Sequence, residues 1–262
     1  MSDPILLLIY FGTGCAAGVL AGMFGVGGGL IVVPLLAWVF GVRALLPGHE
    51  MHLALATSLA AMVLTGAASL RAHARRGTVC WPVFRAMAPG LVAGALGGAL
   101  VAGAIPNDTL RVLFVLYVFI VAVQLGFDLL PTALGGLPGT AALAGVGGGI
   151  GLISAWVGIG GGSMTVPYLV WRGVNIKEAI STSAACGLPV AAAGAAGYLL
   201  LQAPPAAATT GFVVWPATLA VGLGGLLLAP AGAWLAHRLP AAHLRRYFAV
   251  FLAVVGVKLL LN

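Results

Sequence analysis

Charge is what this chain has least of. Only 6% of its 262 residues are Asp, Glu, Lys or Arg, and five are acidic. A soluble domain carries about a quarter charged residues, so a water-exposed shell is excluded. The five carboxylates, Asp3, Glu50, Asp108, Asp128 and Glu178, all fall in loops or at the ends of apolar segments. No span therefore holds a central carboxylate of the kind that builds intramembrane proton relays. Cysteine is equally sparse. Cys15, Cys80 and Cys186 stand alone with no CxxC pair, which excludes a disulfide or metal framework and leaves small apolar packers. His49 and His52 are spaced i, i+3 but have no third ligand for a metal, while His73, His237 and His243 sit in basic loops and read as solvated. No cofactor motif is present. The start, "MSDPILLLIYFGTGC", lacks the basic region of a cleaved signal and reads as a first span that stays.

What is abundant is apolar sequence: 61% of residues, with a mean hydropathy of +1.14. A bilayer core about 30 Å thick takes roughly 20 apolar residues per helix, which leaves room for about eight to ten crossings. The runs are continuous, without the alternation of a β-barrel. The fold class is therefore an all-α integral membrane protein. The 12 Lys and Arg residues give a net charge of +7. They gather in "RAHARRG" (71–77) and "HRLPAAHLRR" (237–246), as cytoplasmic loops do. The partner this implies is the lipid bilayer, and not nucleic acid.

The chain also repeats itself. Gly25, Gly27, Gly28, Gly29 and Pro34 match Gly158, Gly160, Gly161, Gly162 and Pro167, each 133 positions on. "ALATS" (54–58) matches "AISTS" (179–183), "WP" at 81 recurs at 215, and "LR" at 110 recurs at 244. Four marks in one order define two halves, 1–130 and 138–262, joined by a linker at 131–137. Each half holds five apolar segments. These are 4–24, 28–46, 51–70, 82–103 and 110–130, then 138–157, 161–172, 178–201, 211–235 and 244–261. The second of each half is short or broken, since 161–172 covers only about 18 Å as a helix. The basic loop of the first half joins its third and fourth segments, but that of the second joins its fourth and fifth. With both loops cytoplasmic, the halves are inverted, both termini are non-cytoplasmic and the 127–138 region is cytoplasmic.

Inverted repeats broken at matching places are a transporter signature, with the substrate held where the halves meet. A helix N-terminus leaves amides without intrahelical partners and carries partial positive charge. Glycine lets such a terminus approach a ligand, and Pro34 and Pro167 suit an early helical turn. "GVGGGLIVVP" and "GIGGGSMTVP" thus read as donor loops for an anion, with Gly25, Gly27, Gly28, Gly29, Gly158, Gly160, Gly161 and Gly162 as binding residues. The other account of these glycines is close helix packing, which serves for "GALGGALVAG" (94–103) and "GLGGLLLAPAGAW" (222–234). Thr57, Ser58, Thr182 and Ser183 recur in both halves and would face each other as a donor-rich pocket. Ser163 and Thr165 extend it in the second half only, where the first has Leu30 and Val32. Arg43, Arg172 and Lys177 flank the short segments as boundary residues.

"GVLAGMFGVGGGLIVVP" and "GLISAWVGIGGGSMTVPYLVWRGVNIKEAISTSAACGLP", with the two-half layout, resemble the sulfite exporter TauE/SafE family of membrane permeases. The resemblance spans nearly the whole chain. It implies transport of small sulfur-containing anions such as sulfite, sulfoacetate or thiosulfate, across a bacterial inner membrane, with fewer than ten crossings. With the cytoplasm negative, moving one charge through 100 mV is worth about 2.3 kcal/mol, so export of an anion needs no coupling ion. A homo-oligomer is the remaining candidate assembly. Two other classes compete with a transporter: an intramembrane hydrolase using Ser163 with His237 or His243 as base, and a non-transporting assembly subunit.

Overall fold

The structure, a computed structural model, describes residues 4–24, 28–127, 135–204, 208–236 and 241–261. Gly25 and Gly27 of the first glycine loop lie outside them, as do Asp3, Asp128, His237 and most of the 131–137 linker.

Ten helices and one short strand pair are present among the described residues. The first half contributes α1 (Pro4–Phe24), α2 (Gly29–Val42), α3 (Glu50–Arg75), α4 (Trp81–Ala102) and α5 (Asn107–Gly126). The second contributes α6 (Thr140–Val157), α7 (Gly162–Trp171), α8 (Ile176–Leu200), α9 (Trp215–Ala236) and α10 (Ala241–Leu261). Between α8 and α9, β1 (Thr209–Thr210) and β2 (Val213–Val214) form an antiparallel hairpin. Six described helices are long and apolar enough to cross a membrane. This is a multi-pass integral membrane protein, and the second helix of each half is the short one, with 14 and 10 residues.

The helix ends follow local chemistry. The repeated Trp-Pro dipeptide opens α4 and α9, where proline costs no intrahelical bond. Asn175 caps α8 by accepting from the Lys177 amide at 3.0 Å. Glu50 sits in the first turn of α3 and Arg75 in its last, each matched to the helix dipole. That match carries α3 on to Arg75, past the expected end at 70. His73, expected in a solvated loop, is therefore helical and half-buried, with Nδ1 3.0 Å from Ser181 Oγ.

Small residues set which helices meet. A side chain at Gly14 or Gly18 would collide with the backbone of Val221 or Gly225, so α1 runs alongside α9 in the same direction. Gly90, Gly94 and Gly98 press in the same way on Ala144, Gly148 and Leu152, placing α4 parallel to α6. The first helix of each half thus packs on the fourth helix of the other. Along α3 and α8, Leu59 meets Gly194, Gly66 meets Leu188 and His73 meets Ser181, so these equivalent helices run antiparallel. Along α5 and α10, Phe119 meets Gly256 and Gly126 meets Ala249, again antiparallel. Equivalent helices of the two halves, α3 with α8 and α5 with α10, thus run opposite ways where they meet. Large apolar residues fill the interior, among them Phe40, Phe114 and Tyr198. Leu116 and Ile120 on α5 and Val250 and Val254 on α10 face outward, as a lipid-facing surface requires.

Candidate functional site

The second glycine loop is a pair of left-handed turns between two helices. Gly158 ends α6 at φ +67° and Gly161 caps α7 at φ +72°, conformations that L side chains rarely adopt. The Gly161 carbonyl accepts from the Thr165 amide at 2.9 Å and from Met164 at 3.1 Å, which starts α7. The Gly162 and Ser163 amides at this start have no intrahelical acceptor. Two fully buried hydroxyls flank the loop, Ser154 Oγ from α6 and Thr165 Oγ1 from α7. A Cβ on Gly161 would lie 3.1 Å from the first and 3.7 Å from the second. Neither has a hydrogen-bond partner. Buried polar atoms are almost always paired, so two unpartnered hydroxyls beside an open helix N-terminus mark a place that a ligand can complete.

Ser163, in the first turn of α7, has its hydroxyl hydrogen-bonded to Tyr117 of α5. The site is therefore roofed by the first half, although most of its polar atoms come from the second. No charged side chain of the described residues takes part in it. Its half-one counterparts are Ala21, Leu30 and Val32, none of which carries a hydroxyl.

The two glycine loops meet. Gly29 packs directly on the Gly158 carbonyl and on Ile159, leaving no room for a side chain. Gly28 caps α2 in the right-handed region, at φ −70°, beside Ala17. Gly160 faces Gly187 of α8 across an ordinary contact. Pro34 and Pro167 are each the sixth residue of their helix, further in than the early turn expected of them.

The repeated hydroxyls are placed differently from the expected facing pairs. Ser58 Oγ donates to the Gly158 carbonyl at 2.8 Å, which satisfies the end of α6. Thr57 Oγ1 accepts from the Val214 amide at 3.1 Å, just before the Trp-Pro start of α9. Thr182 Oγ1 accepts from the Cys80 amide at 2.9 Å, just before the Trp-Pro start of α4. Each threonine thus latches the opposite half at equivalent positions. Because α3 and α8 run antiparallel, the two latches lie about 22 Å apart along the helix axes, at opposite ends of the bundle. They do not share a pocket. Ser183 Oγ is buried without a partner in α8.

The profile of the sulfite exporter TauE/SafE family matches residues 10–259. This chain belongs to that family. It is similar to a probable membrane transporter protein of Haemophilus influenzae, at 30% identity over 98% of both chains. One from Methanocaldococcus jannaschii is 25% identical, over 98% of this chain and 95% of the relative. The probable membrane transporter protein YdhB of Bacillus subtilis is 24% identical, over 98% and 99%. No solved structure matches. The TauE/SafE assignment makes this chain a membrane permease. The Ser163 hydroxyl is hydrogen-bonded to Tyr117, and His237 and the side chain of His243 lie outside what the structure describes. Ser154 and Tyr117 were not legible as site residues in the sequence, since neither belongs to the repeat.

Proposed function

We propose that this permease carries small oxyanions of sulfur, sulfite or an organosulfonate, bound at the N-terminus of α7. The observation that carries this reading is the pair of buried, unpartnered hydroxyls, Ser154 and Thr165, beside the Gly161 turn. A tetrahedral oxyanion offers several acceptors to converging O–H and N–H donors, and charge-assisted bonds of this kind are the strong ones. The site supplies donors without fixed charge, so a monoanion can both enter and leave. The inverted halves would rock about the fixed site between the two ends. Export from the cytoplasm of a bacterial inner membrane is the direction the membrane potential favours.

The test is thermal unfolding of the detergent-purified protein with sulfite, sulfate, thiosulfate, sulfoacetate, taurine, acetate and chloride at matched ionic strength. One sulfur anion at 100 times its Kd should stabilise by about 2.7 kcal/mol. The absence of any selective shift in folded protein would remove the anion site.

Ser154→Ala and Thr165→Val sharpen the result. Each deletes a hydroxyl that is unpaired without ligand, so the apo protein should lose no stability. Each also deletes a bond to a charged ligand, worth about 1.5–3 kcal/mol, so affinity should fall at least about tenfold. A destabilised apo protein with unchanged affinity would assign both hydroxyls to packing.

A further inference from the structure

One cluster of titratable groups, one turn of α3 away from the Leu55 that packs on Gly158, is buried with polar atoms unused. His49 and His52 stand one turn apart at the start of α3, with ring centres 5.5 Å apart. Phe212, in the loop before α9, stacks on both, 5.7 Å from His49 and 5.0 Å from His52. His52 is 2% exposed, and its Nε2 lies 3.0 Å from the Ala102 carbonyl oxygen. A carbonyl only accepts, so Nε2 carries the hydrogen and Nδ1 holds a free lone pair. That Nδ1 and the Nδ1 of His49 are both buried without a partner.

The connection from α4 to α5 presents His52 with the backbone of Ala102 and Ile105. On α3 itself, His49 and Glu50 act electrostatically on His52, and Glu50 Oε1 accepts from the Gly48 amide at 3.0 Å. On α5, Asn107 Oδ1 is bonded to the Met51 amide at 2.9 Å, and Asp108 faces Arg111 at 3.9 Å. Tyr198 of α8 donates to the Ala155 carbonyl at 3.1 Å. The loop before α9 presents the Phe212 ring.

We propose that His52, beside the half-buried His49, is a proton-binding site that opens this end of the permease. A proton arriving from solvent binds the lone pair of His52 Nδ1 and makes an imidazolium. Nε2–H still donates to Ala102, but the new charge is shut off from water while Phe212 covers the ring. A buried charge shut off from water is costly, so water must reach it and Phe212 must part from α3. Phe212 lies two residues before Val214, whose amide Thr57 holds, so the movement releases that latch. Loss of the proton from Nδ1 to water restores the stack. This inference rests on the transport reading only for its effect on flux.

The test places spin labels at Thr109→Cys and Thr210→Cys, both exposed at this end, with the three native cysteines replaced. Going from pH 8 to pH 5.5 should lengthen the distance between labels. In proteoliposomes, acid on this face should raise sulfur-anion flux about tenfold, the effect of about 1.4 kcal/mol on an opening equilibrium. His52→Gln keeps a donor for Ala102 and cannot titrate. It should hold distance and flux at their pH 8 values, with thermal unfolding at pH 8 confirming its fold. A distance that ignores pH, a measurable sulfur-anion flux that ignores it, or a His52→Gln variant that responds as the parent does would overturn the proposal. A pH-dependent distance without flux of any sulfur anion would count against the transported species and leave the proton site standing.

Discussion

Gly161→Val leaves the protein inserted in the membrane and abolishes anion flux. Gly161 caps α7 at φ +72°, where a β-branched residue is a genuine outlier at a cost of about 1–3 kcal/mol. The new side chain would also stand 3.1 Å from both Ile150 Cγ2 and Ser154 Oγ, filling the space beside the unpartnered hydroxyls. Gly28→Val, its repeat-related counterpart, is the milder change. Gly28 has a right-handed φ of −70°, and a Cβ there meets Ala17 Cβ at 3.1 Å. The two variants should separate in a liposome flux assay, with Gly161→Val silent and Gly28→Val retaining activity, both eluting as folded protein. Normal flux through Gly161→Val would remove the α7 terminus as the binding site.

That separation shows where sequence reasoning reached and where it stopped. The glycines at 158 and 161 were legible because a left-handed backbone selects glycine whatever the tertiary context. The ten helices were legible because apolar length and the repeated Trp-Pro starts are local signals. Thr57, Ser58 and Thr182 were legible as matched positions, but a repeat gives equivalence and not distance. Antiparallel packing of α3 on α8 puts the two threonines at opposite ends, where backbone amides of the other half claim them. Ser154 and Tyr117 were hidden because a single hydroxyl in an apolar helix resembles a packing residue until its neighbours are known. His73 was misplaced because charge in the last turn extends a helix as readily as it marks a loop.

Thr57→Val and Thr182→Val should therefore act as opposite gate mutations and leave anion affinity alone. Valine keeps the shape of threonine and deletes the oxygen that holds the amide before α9 or before α4. Val214 is fully buried, so Thr57→Val strands its N–H and should cost about 1–3 kcal/mol. Cys80 is only partly buried, so water can take over its amide, and Thr182→Val should cost less than about 1 kcal/mol. Access should change at different ends. Thr182→Val frees the segment carrying Cys80, beside the basic end of α3, and a membrane-impermeant maleimide should label Cys80 faster from that face. Thr57→Val should leave Cys80 labelling unchanged, because its latch lies about 22 Å away. The midpoint of anion-induced stabilisation should match the parent in both variants. A tenfold loss of affinity with unaltered Cys80 labelling would put these hydroxyls back in the substrate site, where their recurrence in both halves first placed them.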